Sequence, residues 1–182
     1  MRLSWDKYFL SIAKLVAMRS GCNSRPTGAV IVKNKRIIAT GYNGSLPGLP
    51  QCTDNGCNYC YRRDIQPNDT GENKYSSCES IHAEQNAINQ IPYTGQGGSL
   101  IDAILYCTLE PCYFCLKNIA SVGIKKIFYE LSYESSDKKR DIFWKSKYKE
   151  YGIETVQLTL TKEESSIIAS NMVNITSIRR LK

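Results

Sequence analysis

The hydrophobic residues of this chain follow two different periods, and the period predicts the kind of element. Apolar side chains that recur every three to four residues indicate amphipathic helices, and short runs rich in Val, Ile, Leu and Tyr indicate strands. Helices are predicted over 4–20, 82–91, 111–123, 142–152 and 162–178. Strands are predicted over 29–32, 37–41, 103–109, 124–130 and 153–160. This alternation predicts a layered α/β domain in which helices cover a central mixed sheet.

One long stretch, from Tyr42 to Ser80, shows little periodicity and is rich in Gly, Pro, Asn, Asp and Cys. Ordered loops of roughly 38 residues are uncommon in compact domains. We therefore expect something to clamp this stretch against the rest of the chain. Several of the chain's eight cysteines lie within it or at its edges, so metal ligation is a candidate for the clamp.

The composition of the chain indicates which kinds of protein it could be. The chain is 42% hydrophobic, which suffices for a buried core. It contains no apolar run of the ~18 residues that a membrane span needs, so we expect a cytoplasmic protein that makes no membrane contact. The formal net charge of +7 fits a nucleic-acid binder and equally an enzyme for phosphorylated substrates.

The single histidine, His82, stands thirty residues before the pair Cys112 and Cys115. One nitrogen and two sulfurs are a ligand set of catalytic zinc sites, which keep a fourth position for water. The two cysteines are three residues apart near the start of a predicted helix, so they share a face and meet the positive end of its dipole. The alternative is an ordinary histidine and an unrelated pair of cysteines.

Glu84 follows His82 by two residues, and two such residues inside a regular helix point to different sides. We therefore predict that His82 lies at the helix entrance, where the backbone is not yet helical. Glu84 could then face the metal without ligating it and act as a proton shuttle. The composite pattern H-x-E with P-C-x-x-C is the signature of zinc deaminases.

These motifs make the chain resemble the cytidine deaminase superfamily and, within it, the deoxycytidylate (dCMP) deaminases. The resemblance covers nearly all of 4–158, and the segments "GYNG" and "HAEQNAI" point to the dCMP branch. It implies a three-layer fold with about five strands over 1–160. The tail over 161–182 has no counterpart in this resemblance, and its apolar residues predict a helical extension. The resemblance also implies hydrolytic deamination of dCMP to dUMP and ammonia, which supplies dUMP for thymidylate synthesis.

The resemblance further implies roles for single residues. Asn43 of "GYNG" would contact the nucleotide, although Asn-Gly is also a simple turn sequence. Arg25 would bind the 5′-phosphate, with Arg19 as a competitor. Tyr133 would lie near the substrate, or would only pack. A homo-oligomer, with a hexamer favoured, and regulation by dTTP and by dCTP with Mg²⁺ are also implied.

A second, structural zinc ion is implied near the long loop. Its ligands would be Cys22, Cys52 and Cys78, with Cys57 as the fourth thiolate and Cys60 as its alternative. Closed four-cysteine sites are structural, and metal binding contributes directly to folding free energy. Otherwise these cysteines are plain thiols or form disulfides.

Other functions remain open on the sequence alone. One alternative is a dual enzyme whose site tolerates extra phosphates and which also accepts dCTP. A deaminase acting on DNA or RNA bases would share the zinc motif. Nucleic acid is nevertheless not expected as a partner, because the sequence shows no basic groove interleaved with aromatic residues. A zinc module that only binds is disfavoured by the intact Glu84.

Overall fold

The computed structural model of the chain describes residues 2–54, 78–94, 99–134 and 137–174. Its helices are α1 (Trp5–Ala17), α2 (Ala83–Gln90), α3 (Tyr113–Ser121), α4 (Lys138–Glu150) and α5 (Lys162–Asn174). Its strands are β1 (Gly28–Lys33), β2 (Arg36–Tyr42), β3 (Ile104–Leu109), β4 (Lys126–Leu131) and β5 (Glu154–Gln157). A short 3₁₀ turn, Ile91–Thr94, follows α2.

The strands form one five-stranded mixed sheet in the order β2-β1-β3-β4-β5. β1 pairs antiparallel with both β2 and β3, whereas β4 lies parallel to β3 and β5 parallel to β4. A tight turn joins β1 to β2, and both of its residues, Asn34 and Lys35, have positive φ angles of 52° and 59°. The predicted mixed sheet is therefore confirmed.

The two faces of the sheet are covered by separate clusters of buried side chains. On one face, helix α1 packs against β1, β3 and β4, through residues that include Phe9, Ala13, Val30, Tyr106 and Phe128. On the other face, helices α2, α3 and α4 pack against the strands, through residues that include Ile31, Ala87, Leu105, Cys107, Leu116 and Trp144. Helices on both faces of one sheet make the three layers that the sequence predicts.

Several elements are shorter than the sequence predicts, and α3 and β5 are two of them. The helix predicted from Pro111 begins at Tyr113, because Cys112 keeps an extended backbone (φ −70°, ψ 168°) and serves as the N-cap. The last strand spans 154–157 rather than 153–160. The later start of α3 leaves Cys112 at the entrance of the helix rather than inside its first turn.

Helix α4 begins earlier than the sequence predicts. Its first residue is Lys138 rather than residue 142, and it follows Asp137, whose side chain accepts a hydrogen bond from the Arg140 N–H. Such a cap satisfies one of the free N–H groups at a helix start. The first turn of α4 is polar and carries no apolar signal, so periodicity could not locate it.

Helix α5 is held at its start by a reciprocal cap. The Thr161 hydroxyl accepts from the Glu164 N–H, and the Glu164 carboxylate accepts from the Thr161 N–H. The same carboxylate pairs with Lys7 of α1.

The predicted division between a domain over 1–160 and an extension over 161–182 stays a prediction. Among the helices described, none has the length and apolar character needed to cross a membrane.

Helix α2 covers the outer edge of β2. The Asn86 side chain donates to the Tyr42 carbonyl (2.8 Å), and the Gln90 side chain accepts from the Thr40 N–H (3.1 Å). Gly41 lets the two elements approach closely, since a Cβ atom there would lie 2.2 Å from the Ala83 carbonyl oxygen. The first glycine of "GYNG" is thus required by the packing of the helix that begins after His82.

Replacing Gly41 by alanine is expected to destabilise the fold by roughly 1–3 kcal/mol, because the added methyl group overpacks the contact with α2. Urea unfolding measures the change. Thr40→Ala is the matched control, since it alters the adjacent residue without adding an atom against α2. Equal unfolding midpoints for the two variants would contradict this account of the close approach.

Candidate metal centre

Two helix entrances meet at the candidate site. His82 is the N-cap of α2 and has an extended backbone (φ −69°, ψ 152°), as the spacing to Glu84 predicts. Cys112 is the N-cap of α3, and Cys115 lies in the first turn of that helix. Two backbone hydrogen bonds between Gly44 and Ile81 fix the segment before His82 against the end of the "GYNG" motif.

The three side chains converge. The His82 Nδ1 atom lies 3.5 Å from the Cys112 sulfur and 3.3 Å from the Cys115 sulfur. Within the described part of the chain, this is the one group of three or more His, Cys, Asp or Glu side chains placed to share a metal ion. One imidazole and two thiols are ligands that zinc prefers, so the residues fit the metal predicted from the sequence.

The electrostatics of the cluster favour the thiolate form of Cys112, which is the form in which cysteine binds a metal. A hydrogen bond from the Cys115 side chain and the nearby His82 lower the pKa of Cys112 to about 4. The Cys112 side chain in turn raises the pKa of His82 to about 9, against the opposing effect of burial. The hydrogen bond between the Cys115 and Cys112 side chains raises the pKa of Cys115, and burial raises it further. In the metal-free cluster these shifts favour a thiolate at Cys112 and a protonated imidazole at His82.

Glu84 lies in the first turn of α2 and is only 4% exposed. Burial raises its pKa to about 7, and the negative charge of Cys112 adds to the effect. A carboxyl group with a pKa near neutrality can both accept and donate a proton at physiological pH. The arrangement therefore places a proton-transfer group beside a metal-binding cluster.

The low pKa of Cys112 predicts how the metal-free protein reacts with iodoacetamide. The thiolate predominates above about pH 4, so alkylation at Cys112 should vary little between pH 5.5 and 8. An ordinary thiol, with a pKa of about 8.5, reacts roughly tenfold faster per pH unit over this range. Mass spectrometry of the Cys112 peptide measures the rate, and added zinc should slow it. A tenfold rise per unit at Cys112 would contradict the assignment.

Asn43 is buried, and its amide is largely engaged by the protein. The side-chain oxygen accepts from the Thr27 N–H (2.8 Å) and the Ser20 hydroxyl (2.7 Å), while the nitrogen donates to the Arg25 carbonyl (2.9 Å). The amide thereby braces the segment that leads into β1. One N–H remains for another partner, and the predicted nucleotide contact stays a prediction.

Arg25 is exposed and lines an open cleft of about 480 Å³ beside the ends of β3 and β4. Lys14 lines the same cleft and pairs with Glu130. Arg19, the competitor of Arg25, does not line this cleft. Tyr133 follows β4 and packs against Trp144, with ring centroids 6.2 Å apart. The substrate contacts of Arg25 and Tyr133 stay predictions.

The proposed second zinc site is only partly described. Cys22, Cys52 and Cys78 are half-buried, and no disulfide joins them in the described residues. They do not form a metal-sharing group there, although Asn23 donates a hydrogen bond to the Cys52 carbonyl. Cys57 and Cys60 lie outside the described residues. The structural zinc site therefore stays a prediction.

Sequence reasoning missed Glu110, which is 4% exposed and lies two residues before Cys112. Its carboxylate pairs with Lys145 of α4 (2.9 Å) and accepts a hydrogen bond from the Tyr133 N–H (3.0 Å). The sequence feature that could have pointed to Glu110 is its place as a carboxylate at the end of an apolar strand. Its partners could not be identified, since they come from elements more than twenty residues away.

Comparison with known proteins agrees with this geometry. Residues 3–131 match the family model described as the cytidine and deoxycytidylate deaminase zinc-binding region. The deoxycytidylate deaminase of Mycobacterium phage D29 is 42% identical over 132 residues, covering 70% of this chain and 95% of the phage protein. That of Saccharomyces cerevisiae is 36% identical over 163 residues, covering 90% of this chain. The chain spans about half (47%) of the yeast protein's length.

A solved structure shares the fold. The crystal structure of dCMP deaminase from the cyanophage S-TIM5, in complex with dCMP and dUMP, superposes with a TM-score of 0.63 at 26% identity. The match covers 87% of this chain and 99% of that one. With the metal cluster, the family match and these relatives in agreement, the chain belongs to the deoxycytidylate deaminase family.

Proposed function

We propose that this protein hydrolyses dCMP to dUMP and ammonia. The observation that carries the proposal is a buried carboxyl group, Glu84, beside a cluster of one imidazole and two thiols. The relatives from phage D29 and yeast are named deoxycytidylate deaminases. The S-TIM5 enzyme was crystallised with dCMP and dUMP, which are the proposed substrate and product. The dUMP formed would supply thymidylate synthesis.

The reaction replaces the C4 amino group of cytosine with the oxygen of water. A zinc ion held by His82, Cys112 and Cys115 would supply the nucleophile, because zinc lowers the pKa of bound water to about 7. Glu84 accepts one proton from the attacking water and passes it to N3, and it then accepts the second proton from the hydroxyl group added at C4 and passes it to the departing amine. Its raised pKa suits both directions of transfer.

Substrate contacts form a second part of the proposal. Arg25 binds the 5′-phosphate, since a guanidinium group can pair with phosphate through two hydrogen bonds. In the part of the chain that the structure describes, no carboxylate pairs with Arg25, whereas the neighbouring Lys14 is paired with Glu130. Asn43 offers its remaining N–H to the nucleotide, and Tyr133 flanks the substrate.

The predicted structural zinc ion extends the proposal to the long loop. Cys22, Cys52, Cys78 and Cys57, or Cys60 in its place, would hold it. The hydrogen bond from Asn23 to the Cys52 carbonyl supports this, because it brings two of the ligand segments together. Metal analysis of the purified protein is expected to find two zinc ions per chain. A count of one would remove the second site.

Assembly and regulation complete the proposal. We place the protein in a homo-oligomer, with a hexamer favoured. The apolar side chains of Phe114, Ile142 and Phe143, all more than half exposed on α3 and α4, support such an assembly. From the resemblance alone we propose control by dTTP and by dCTP with Mg²⁺. A cytoplasmic location is proposed from the composition of the sequence.

The decisive experiment offers the purified protein dCMP, dCTP, deoxycytidine and single-stranded DNA, and measures ammonia release. Turnover of dCMP well above the others is the expected result. Comparable turnover of dCTP would indicate a dual enzyme. Turnover of the DNA alone would replace the proposal with a polynucleotide deaminase, and no turnover of any nucleotide would refute it.

A further inference from the structure

An ion pair between a buried carboxylate and a half-buried lysine is formed by Glu110, which stands two residues before the metal ligand Cys112. The Glu110 side chain is 4% exposed, and its Oε2 atom lies 2.9 Å from the Lys145 ammonium group. The same oxygen accepts a hydrogen bond from the Tyr133 N–H at 3.0 Å. Burying a carboxylate is unfavourable unless it is paired and hydrogen-bonded, so these two partners are what make its position tenable.

The contacts of Glu110 join three parts of the chain. Its own N–H donates to the Leu131 carbonyl (2.8 Å), which fixes it against the end of β4. Its carboxylate reaches the loop that follows β4 at Tyr133 and reaches α4 at Lys145. Two residues further along the chain stands Cys112. Glu110 therefore links the turn bearing a metal ligand to the loop bearing a proposed substrate contact.

Helix α4 makes two further contacts with the same region. The Tyr148 hydroxyl donates to the Pro111 carbonyl (3.2 Å), which holds the turn between Glu110 and Cys112. The Trp144 ring packs against the Tyr133 ring. The Pro111 turn thus has an anchor on α4 that does not involve Glu110. The backbone of Tyr133, by contrast, is held by the Glu110 carboxylate.

We propose that Glu110, ion-paired with Lys145, is a positioning residue that sets the place of Tyr133 relative to the metal-binding turn. The inference rests on the proposed function, because it assigns Tyr133 to the substrate pocket. Loss of the ion pair would let the Tyr133 loop move while His82, Cys112 and Cys115 stay in place. The expected consequence is weaker substrate binding with an intact metal cluster.

The test compares Glu110→Gln and Lys145→Met with Lys145→Arg, which keeps the positive charge. The first two variants are expected to raise KM for dCMP roughly 10-fold, since displacing a positioning contact can cost up to ~10²-fold. Their kcat and zinc content should stay near those of the parent. Lys145→Arg should restore KM. The double variant should be no worse than either single one, because the two side chains act as a pair.

A spectroscopic readout separates this inference from the proposed function. The chain has two tryptophans, so in a Trp5→Phe background Trp144 alone reports on its contact with Tyr133. Glu110→Gln should increase quenching of Trp144 by acrylamide, whether or not dCMP is the substrate. Lys145→Met is left out of this measurement, because the Lys145 ammonium group itself lies over the Trp144 ring, 5.5 Å from its centroid. Unchanged quenching and unchanged KM would overturn the inference. A fall in zinc content together with a fall in kcat would also overturn the inference, since Glu110 would then support the turn that bears Cys112 instead.

Discussion

Replacing Glu84 by glutamine is expected to lower kcat for dCMP by roughly 10²–10⁴-fold, the usual contribution of general acid–base catalysis. Glutamine keeps the shape of the side chain but can neither accept nor deliver the proton. Zinc content should not change, because Glu84 is not among the three converging ligands. Steady-state kinetics and metal analysis on the same preparation measure both quantities.

Although the Glu84→Gln protein should be less active, its metal-free form should be more stable than the metal-free parent protein above neutral pH. The pKa of Glu84 is raised to about 7 in the fold, above the ordinary value of 4.5. The folded state therefore binds more protons than the unfolded state between these values, so stability falls as pH rises from about 4.5 through 7. Above pH 7, glutamine should relieve about 3 kcal/mol of this unfavourable burial.

The matched control for Glu84 is Glu79→Gln, which changes an exposed carboxylate just before His82. It should leave kcat and stability near the parent values. Activity retained in Glu84→Gln would refute the proton-transfer role. Equal stability of the parent and Glu84→Gln at about pH 8, measured by urea unfolding, would refute the unfavourable burial.

Replacing Cys115 by serine is expected to abolish both zinc retention at the cluster and dCMP turnover. The Cys115 sulfur lies 3.3 Å from His82 Nδ1 and is buried, so a serine hydroxyl would leave the cluster without one of its two thiolates. Without the metal, a water molecule has its ordinary pKa of about 15.7 instead of about 7. Turnover should therefore fall below detection, and zinc content should fall by one ion per chain.

Cys107→Ala is the matched control, because Cys107 is a buried cysteine on β3 that takes no part in the converging cluster. It should retain zinc and turnover and lose only stability, by about 1 kcal/mol. Turnover in Cys115→Ser protein that has been treated with a chelator would contradict the assigned metal chemistry. Equal zinc loss in both variants would mean that general unfolding, rather than ligand removal, releases the metal.

The sequence was informative wherever a local rule determined the structure. The two-residue spacing of His82 and Glu84 required a non-helical His82, and its extended backbone confirms that reasoning. Short apolar runs bounded by turn residues predicted each of the five strands. Periodicity could not locate the start of α4, because the polar turn from Lys138 to Asp141 has no apolar period.

Long-range pairing could not be predicted in the same way. Glu110 finds Lys145 only because β3, β4 and α4 are brought together by the parallel arrangement of the sheet. The partners of the Asn43 amide within the chain, Thr27, Ser20 and Arg25, could not be predicted either, and its contact with the nucleotide stays a prediction. Such partners depend on the tertiary fold, which apolar periodicity does not encode.

The side chains of α2 that cover β2 limit how copies of this chain can join. A sheet grows by adding a strand to an edge with unpaired N–H and C=O groups. At β2, the side chains of Asn86 and Gln90 already form hydrogen bonds with two such groups, the Tyr42 carbonyl and the Thr40 N–H. At the opposite edge, β5 is only four residues long. Continuous sheets across subunits are therefore disfavoured at both ends, and contacts between copies would be made through helices.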